Sequence, residues 1–129
     1  MKDMVYKKTF YIPNEFFKLV NLKELHINST NLKSLSKEIG NLVNLEEFYI
    51  GSYRSYNNRC KLKKLPKEIG NLINLEYFAI NYGDNLKEFP KEITNLIKLR
   101  YLRMEDCYKI KELPKEIGNL INLKSLIID

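Results

Sequence analysis

One apolar phrase written five times, each copy closing on a leucine that opens the next, limits what this chain can fold into. It is clearest as Leu65-Pro66-Lys67-Glu68-Ile69-Gly70-Asn71-Leu72-Ile73-Asn74-Leu75 and recurs from Leu113 to Leu123. Variants run from Phe89 to Leu99, from Leu35 to Leu45 and from Ile12 to Leu22. Counted from Leu22, Leu45, Leu75, Leu99 and Leu123, the periods are 23, 30, 24 and 24 residues. Units of that length bury their apolar side only against the next copy, so a stacked solenoid is predicted rather than a globule around one active site.

Each start opens a run with apolar residues at positions 1, 4 and 6, as in Leu45/Phe48/Ile50, Leu75/Phe78/Ile80 and Leu99/Leu102/Met104. Alternation over positions 4 to 6 is the period-two signature of a short strand with one buried face. After a turn the chain reaches the Pro-Lys-Glu-Ile segment. Proline pushes the preceding leucine toward extended geometry and suits the first position of a helical turn. Glu68, Glu92 and Glu116 follow where a carboxylate favours the positive end of that turn. Ile69/Leu72, Ile93/Leu96 and Ile117/Leu120 are three apart and face one side. A short helical or 3₁₀ piece behind each strand is expected, with Gly40, Gly70 and Gly118 letting the backbone bend.

With these residues the chain resembles a leucine-rich repeat protein of the LxxLxLxxxxxLxxLPxxIxxLxxL kind. The match runs over roughly Ile12 to Asp129, and five consecutive copies make it specific. Similar Leu-Pro and Ile-Gly-Asn-Leu repeats occur in bacterial and giant-virus proteins and in the sensing tails of plant disease-resistance receptors. The resemblance implies an α/β solenoid with a parallel sheet on its concave face, short helical turns on its convex face, and a role in binding macromolecules. Residues 1–21 read as a capping segment with a partial repeat and 22–129 as the repeats, within a single domain. Met4, Tyr6, Phe10, Phe16 and Phe17 are the expected cap, whereas Leu126 and Ile128 in the last strand have none. That edge leaves homo-oligomerisation, and a self-assembling structural role, as one reading.

No run approaches the ~20 apolar residues of a membrane-spanning helix, and Met1 to Ile12 holds no continuous apolar core of a signal peptide. The chain is read as cytoplasmic, with no membrane association; secretion by a route without such a signal stays open. Cys60 and Cys107 fit a reducing compartment. On one interior ladder two coils apart they would be about 9 to 10 Å from each other, too far for a disulfide, so two free thiols are expected.

Repeat two departs from the others. Leu62 follows Ile50 by twelve residues, where Leu86 follows Ile80 and Ile110 follows Met104 by six. The insertion, 51–61, carries Tyr53, Arg54, Tyr56 and Arg59. From Arg54 to Lys67 there are six basic residues and no acidic one, which accounts for the whole net charge of +6. A loop grafted on a regular scaffold is where binding residues collect, and tyrosine and arginine are enriched at hot spots. An acidic partner is expected for this loop.

Strand alternation defines a second surface. With positions 1, 4 and 6 buried, positions 3, 5 and 7 point out of the concave face. Column three reads Glu24, Glu47, Tyr77, Tyr101, Ser125 and column five His26, Tyr49, Ala79, Arg103, Ile127. Column seven reads Asn28, Gly51, Asn81, Glu105, Asp129. Tyr49, Tyr77 and Tyr101, with Glu47 beside them and Arg103 as a charged anchor, form the expected protein-binding patch, edged by Tyr82.

Nothing points to an enzyme, a cofactor or a small-molecule substrate. The single His26 with Glu24 and Glu47 falls short of a zinc ligand set. No phosphate-binding GxxxxGK[ST] or GxGxxG occurs. The Asn28-Ser29-Thr30 sequon is silent without a secretory route. Convex lysines such as Lys67 and Lys91 are matched by Glu68 and Glu92 and read as a solubilising surface. The expected function is a non-catalytic protein-binding module. Nucleic acid or another polyanion on the Tyr/Arg/Lys segment 53–67 is the second reading, and it would show steep salt dependence.

Overall fold

A computed structural model describes residues 3–7, 12–28, 31–51 and 59–129. Among these residues six strands form one all-parallel sheet in chain order: β1 (Asp3–Lys7), β2 (Glu24–Asn28), β3 (Glu47–Ile50), β4 (Tyr77–Asn81), β5 (Tyr101–Glu105) and β6 (Ser125–Ile128). Opposite the strands lie five 3₁₀ turns, Asn14–Lys18, Lys37–Asn41, Lys67–Asn71, Lys91–Asn95 and Lys115–Asn119. One strand and one 3₁₀ turn per coil make a solenoid, the architecture expected from the leucine pattern.

The register follows the leucine pattern. Leu25, Phe48, Phe78, Leu102 and Leu126 are successive partners across β2 to β6, and Ile27, Ile50, Ile80, Met104 and Ile128 form the next rung. A slip by one residue would turn every one of these side chains outward, so burial holds the pairing in place. From β2 to β5 both rungs are buried, as are the starts Leu22, Leu45, Leu75 and Leu99. The Phe48 and Phe78 rings stack at 5.4 Å inside. Ile39/Leu42, Ile69/Leu72 and Ile93/Leu96 close the core from the 3₁₀ side.

Proline enters the 3₁₀ turns one residue earlier than the sequence suggested. Pro66, Pro90 and Pro114 occupy the capping position, with Pro66 at φ −68° and ψ 147°, and the turn begins at the following lysine. The ring's fixed φ serves extended backbone as well as helical. In the first full repeat Ser36 takes this place, and its hydroxyl accepts from the Glu38 N–H at 3.2 Å. A side-chain cap there does what a preset dihedral does in the other coils.

Gly40 and Gly70 do not serve as bends; they admit the next coil. A Cβ on Gly70 would lie 2.6 Å from the Glu92 carbonyl oxygen, and one on Gly40 would lie 3.0 Å from the Glu68 carbonyl oxygen. Thr94 stands at the equivalent place one turn on, and its hydroxyl folds back to donate to the Lys91 carbonyl at 2.7 Å. Gly118, by contrast, meets nothing within 4 Å.

Candidate functional site: an aromatic ladder on the concave face

Alternate residues of β2 to β5 carry the concave surface. His26 is registered opposite Tyr49, Tyr49 opposite Ala79, and Tyr77 opposite Tyr101. His26 and Tyr49 stack at 4.4 Å between ring centroids, Tyr49 and Tyr77 at 4.9 Å, and Tyr77 and Tyr101 lie tilted at 5.7 Å. The ladder steps from column five to column three between β3 and β4, because Ala79 has only a methyl group at the place opposite Tyr49. Strands repeat at ~4.8 Å, which is close to ring-stacking distance, so four aromatic groups cross four strands without a gap. Tyr101 is exposed and the other three are half-buried.

A carboxylate accompanies each part of the ladder, paired two residues along its own strand. Glu24 meets His26 Nε2 through Oε1. Tyr49 donates its hydroxyl to Glu47 Oε2 at 2.7 Å. Arg103 donates through Nε to Glu105 Oε1 at 2.7 Å and through a terminal nitrogen to the same oxygen. The Glu105 hydrogen bond, aided by Tyr77, pushes the Arg103 guanidinium above its ordinary range and keeps it charged. Arg103 is therefore engaged with its own strand rather than projecting alone. Residues i and i+2 share a face of a strand, so these pairings are local consequences of alternation.

The chain aligns over 98% of its length with the leucine-rich repeat domain of the type III effector XopL, at 26% identity and a TM-score of 0.82, spanning 43% of that chain. It aligns over 90% of its length with a leucine-rich repeat protein of Leptospira interrogans, at 33% identity and a TM-score of 0.70, spanning 27% of that chain. The chain is a leucine-rich repeat protein. Family models give no match to it, and curated proteins give none either. It spans less than half the length of the two solved leucine-rich repeat proteins it resembles.

Two concave positions of this leucine-rich repeat protein lack the solvent exposure expected of columns five and seven. Ala79 and Asn81 are fully buried. Ala79 lies between Tyr49 and Arg103 in the register and is too small to reach past them. Asn81 packs against Gly51, whose φ of 93° and lack of a Cβ allow the approach to the Asn81 carbonyl. The Asn81 amide oxygen and nitrogen have no hydrogen-bond partner among the described residues.

Of the insertion candidates, Tyr53, Arg54 and Tyr56 lie outside the described residues. Arg59 is exposed and pairs with Asp84. Tyr82, at φ 56° on the turn after β4, lines a shallow hollow with Arg59, Asp84, Asp106 and Tyr108. Asp106 repeats that left-handed geometry one coil on, at φ 55°. The thiols of Cys60 and Cys107 are free and buried. Burial pushes both up, Cys107 to about 12, which keeps them in the unreactive protonated form near neutral pH.

Sequence reasoning passed over the asparagine just before each repeat's first leucine. Asn44, Asn74 and Asn122 donate to the carbonyls of Val20, Val43 and Ile97 in the preceding coil, at 2.8, 2.8 and 2.6 Å. Asn21 precedes the first of these leucines, and Lys98 stands in the copy before Leu99, where it reaches Asn74 Oδ1 at 2.7 Å. Val20, Val43, Ile73, Ile97 and Ile121 form an exposed aliphatic column, one side chain per coil. The recurring Asn in Leu-Ile-Asn-Leu was the available signal, but the partner carbonyl is 24 or more residues away.

Proposed function

We propose that this leucine-rich repeat solenoid is a non-catalytic, cytoplasmic binding module that recognises a protein through its concave face, with the repeat-two insertion as a second contact. The observation that carries the reading is the ladder His26–Tyr49–Tyr77–Tyr101. It gathers rigid, partly exposed aromatic area that the core does not need. Such groups lose little entropy on binding and dominate interface energies. The flanking carboxylates are oriented in advance, Glu105 by its bond to Arg103, which lowers the cost of ordering the surface. The solved relatives, both leucine-rich repeat structures, support a scaffold for macromolecular recognition. No helix among the described residues is long and apolar enough to cross a membrane.

Affinity capture from the source cells, comparing the wild type with Tyr77→Ala and Tyr101→Ala, tests the reading. Loss of about 1 to 2 kcal/mol per tyrosine, or roughly tenfold in affinity, is expected of hot-spot positions. Undiminished capture by both folded variants would move the site off this face.

The exposed Lys61, Lys63, Lys64 and Lys67 favour a second reading, nucleic-acid or other polyanion binding beside the insertion. Its mark is affinity that falls steeply with salt.

A further inference from the structure

We propose that the concave face takes a cationic segment of its protein partner, one whose arginine or lysine side chains lie along the tyrosine ladder and reach the carboxylates beside it. This rests on the reading that the concave face is the binding surface, and it adds the chemistry of the occupant.

The first support is charge. The chain as a whole carries 22 basic and 16 acidic residues, yet the outward positions of β2 to β5 hold three carboxylates, Glu24, Glu47 and Glu105, against one guanidinium, Arg103. The local sign is opposite to that of the molecule. Exposed lysines such as Lys61, Lys63 and Lys64 after the insertion and Lys67 and Lys91 on the 3₁₀ turns lie off these positions, so a phosphate backbone or an acidic peptide would be repelled from the ladder and drawn to those other surfaces.

The second support is the state of the carboxylates. Each is held by a neighbour through one oxygen: Glu24 Oε1 by His26, Glu47 Oε2 by Tyr49 and Glu105 Oε1 by Arg103. Among the described residues the other oxygen of each accepts from no side chain, and it faces a donor arriving from above. The three groups are fixed in rotamer and partly shielded, Glu24 and Glu105 keeping 32% and 24% of their side-chain surface exposed. Oriented, half-desolvated acceptors are the arrangement that recognises guanidinium and ammonium groups.

The third is the aromatic surface between them. An arginine side chain lays its planar head on a tyrosine face while its apolar stem covers the rest of the ring. Tyr101 offers such a face, because its register partner on β6 is the small Ser125.

The test uses the whole chain and two labelled peptides of equal length, one rich in arginine and lysine and one rich in glutamate, with an oligothymidylate as a third probe. Binding is followed by fluorescence anisotropy, and the contact surface by amide chemical shifts. The expected result is that the cationic peptide binds, that shifts concentrate on β2 to β5, and that the acidic peptide and the oligonucleotide leave the ladder unmoved. Glu24→Gln with Glu47→Gln should weaken the cationic peptide about tenfold, the effect of removing two partly exposed charges. Arg103→Gln should strengthen it severalfold, since it removes the one arginine or lysine among the described outward positions of β2 to β5 and releases Glu105. That gain in affinity cannot come from a damaged fold. Tighter binding of the acidic peptide, cationic-peptide shifts confined to other surfaces, or weaker binding by the Arg103→Gln variant would each overturn the proposal. If the cationic peptide fails to bind while cellular capture still depends on Tyr77, the occupant's chemistry is wrong and the concave face stands. If capture is also indifferent to Tyr77, both readings fall.

Discussion

The ring of Tyr49 stacks on that of Tyr77 at 4.9 Å, although the backbone registers Tyr49 opposite Ala79. The diagonal exists because the directly facing position holds only a methyl group, and it joins two columns of the sheet into one continuous aromatic path. Ala79 is fully buried beneath that path. A small residue at this place is as much a part of the surface as the tyrosines are.

Ala79→Leu should therefore force Tyr49 and Tyr77 apart. Overpacking a closed site costs about 1 to 3 kcal/mol, to be read as a lower urea midpoint, and the near-ultraviolet dichroism of the tyrosines should change with it. An unchanged dichroism would mean that the stack does not need the space above Ala79.

Two glycines in the same sequence motif should respond oppositely to alanine. Gly70→Ala would bring a Cβ to 2.6 Å from the Glu92 carbonyl oxygen, so adjacent coils must separate and thermal unfolding should begin at lower temperature. Gly118→Ala meets open space and should be neutral or stabilising by up to about 1 kcal/mol, through the reduced freedom of the unfolded chain.

Asn74→Ala removes a hydrogen bond to the Val43 carbonyl and the acceptor used by Lys98. A loss of about 1 kcal/mol is expected in chemical unfolding. The bridge is exposed, and water can take up part of it, so a loss well beyond that range would show that the bridges also set coil spacing.

Cys107 makes stability fall with alkali. Its thiol ionises ordinarily at 9.0 and is pushed up to about 12 by burial, so the folded chain keeps a proton that the unfolded chain has released. The stabilisation is complete below pH 9 and is lost between about 9 and about 12, at about 1.4 kcal/mol per pH unit while only the unfolded thiol is ionised. Urea unfolding at pH 8 to 11, compared with Cys107→Ala to remove the contribution of tyrosines and lysines, should show the wild type declining faster.

Much of this molecule was legible before any coordinates. The positions of Leu25, Phe48, Phe78 and Leu102 on one rung follow from alternation and a regular period, because burial on one face of a strand is a local property repeated at each coil. The closeness of Tyr49, Tyr77 and Tyr101 followed from the same columns. The part played by Gly70 did not, since the atom that excludes a side chain there belongs to Glu92 on the next coil. Nor did the bridge from Asn122 to Ile97, or the exposure of the Val43 and Ile73 column.

The order of leucines determined by itself that the chain stacks in parallel coils and which side of each strand meets water, for periodicity is a statement about neighbours along the chain. How closely one coil approaches the next, which way Tyr49 leans, and which carboxylate oxygens the neighbouring side chains occupy were decided only by the tertiary structure. These depend on side-chain volumes and hydrogen-bond directions between residues some two dozen positions apart, and no local pattern encodes them.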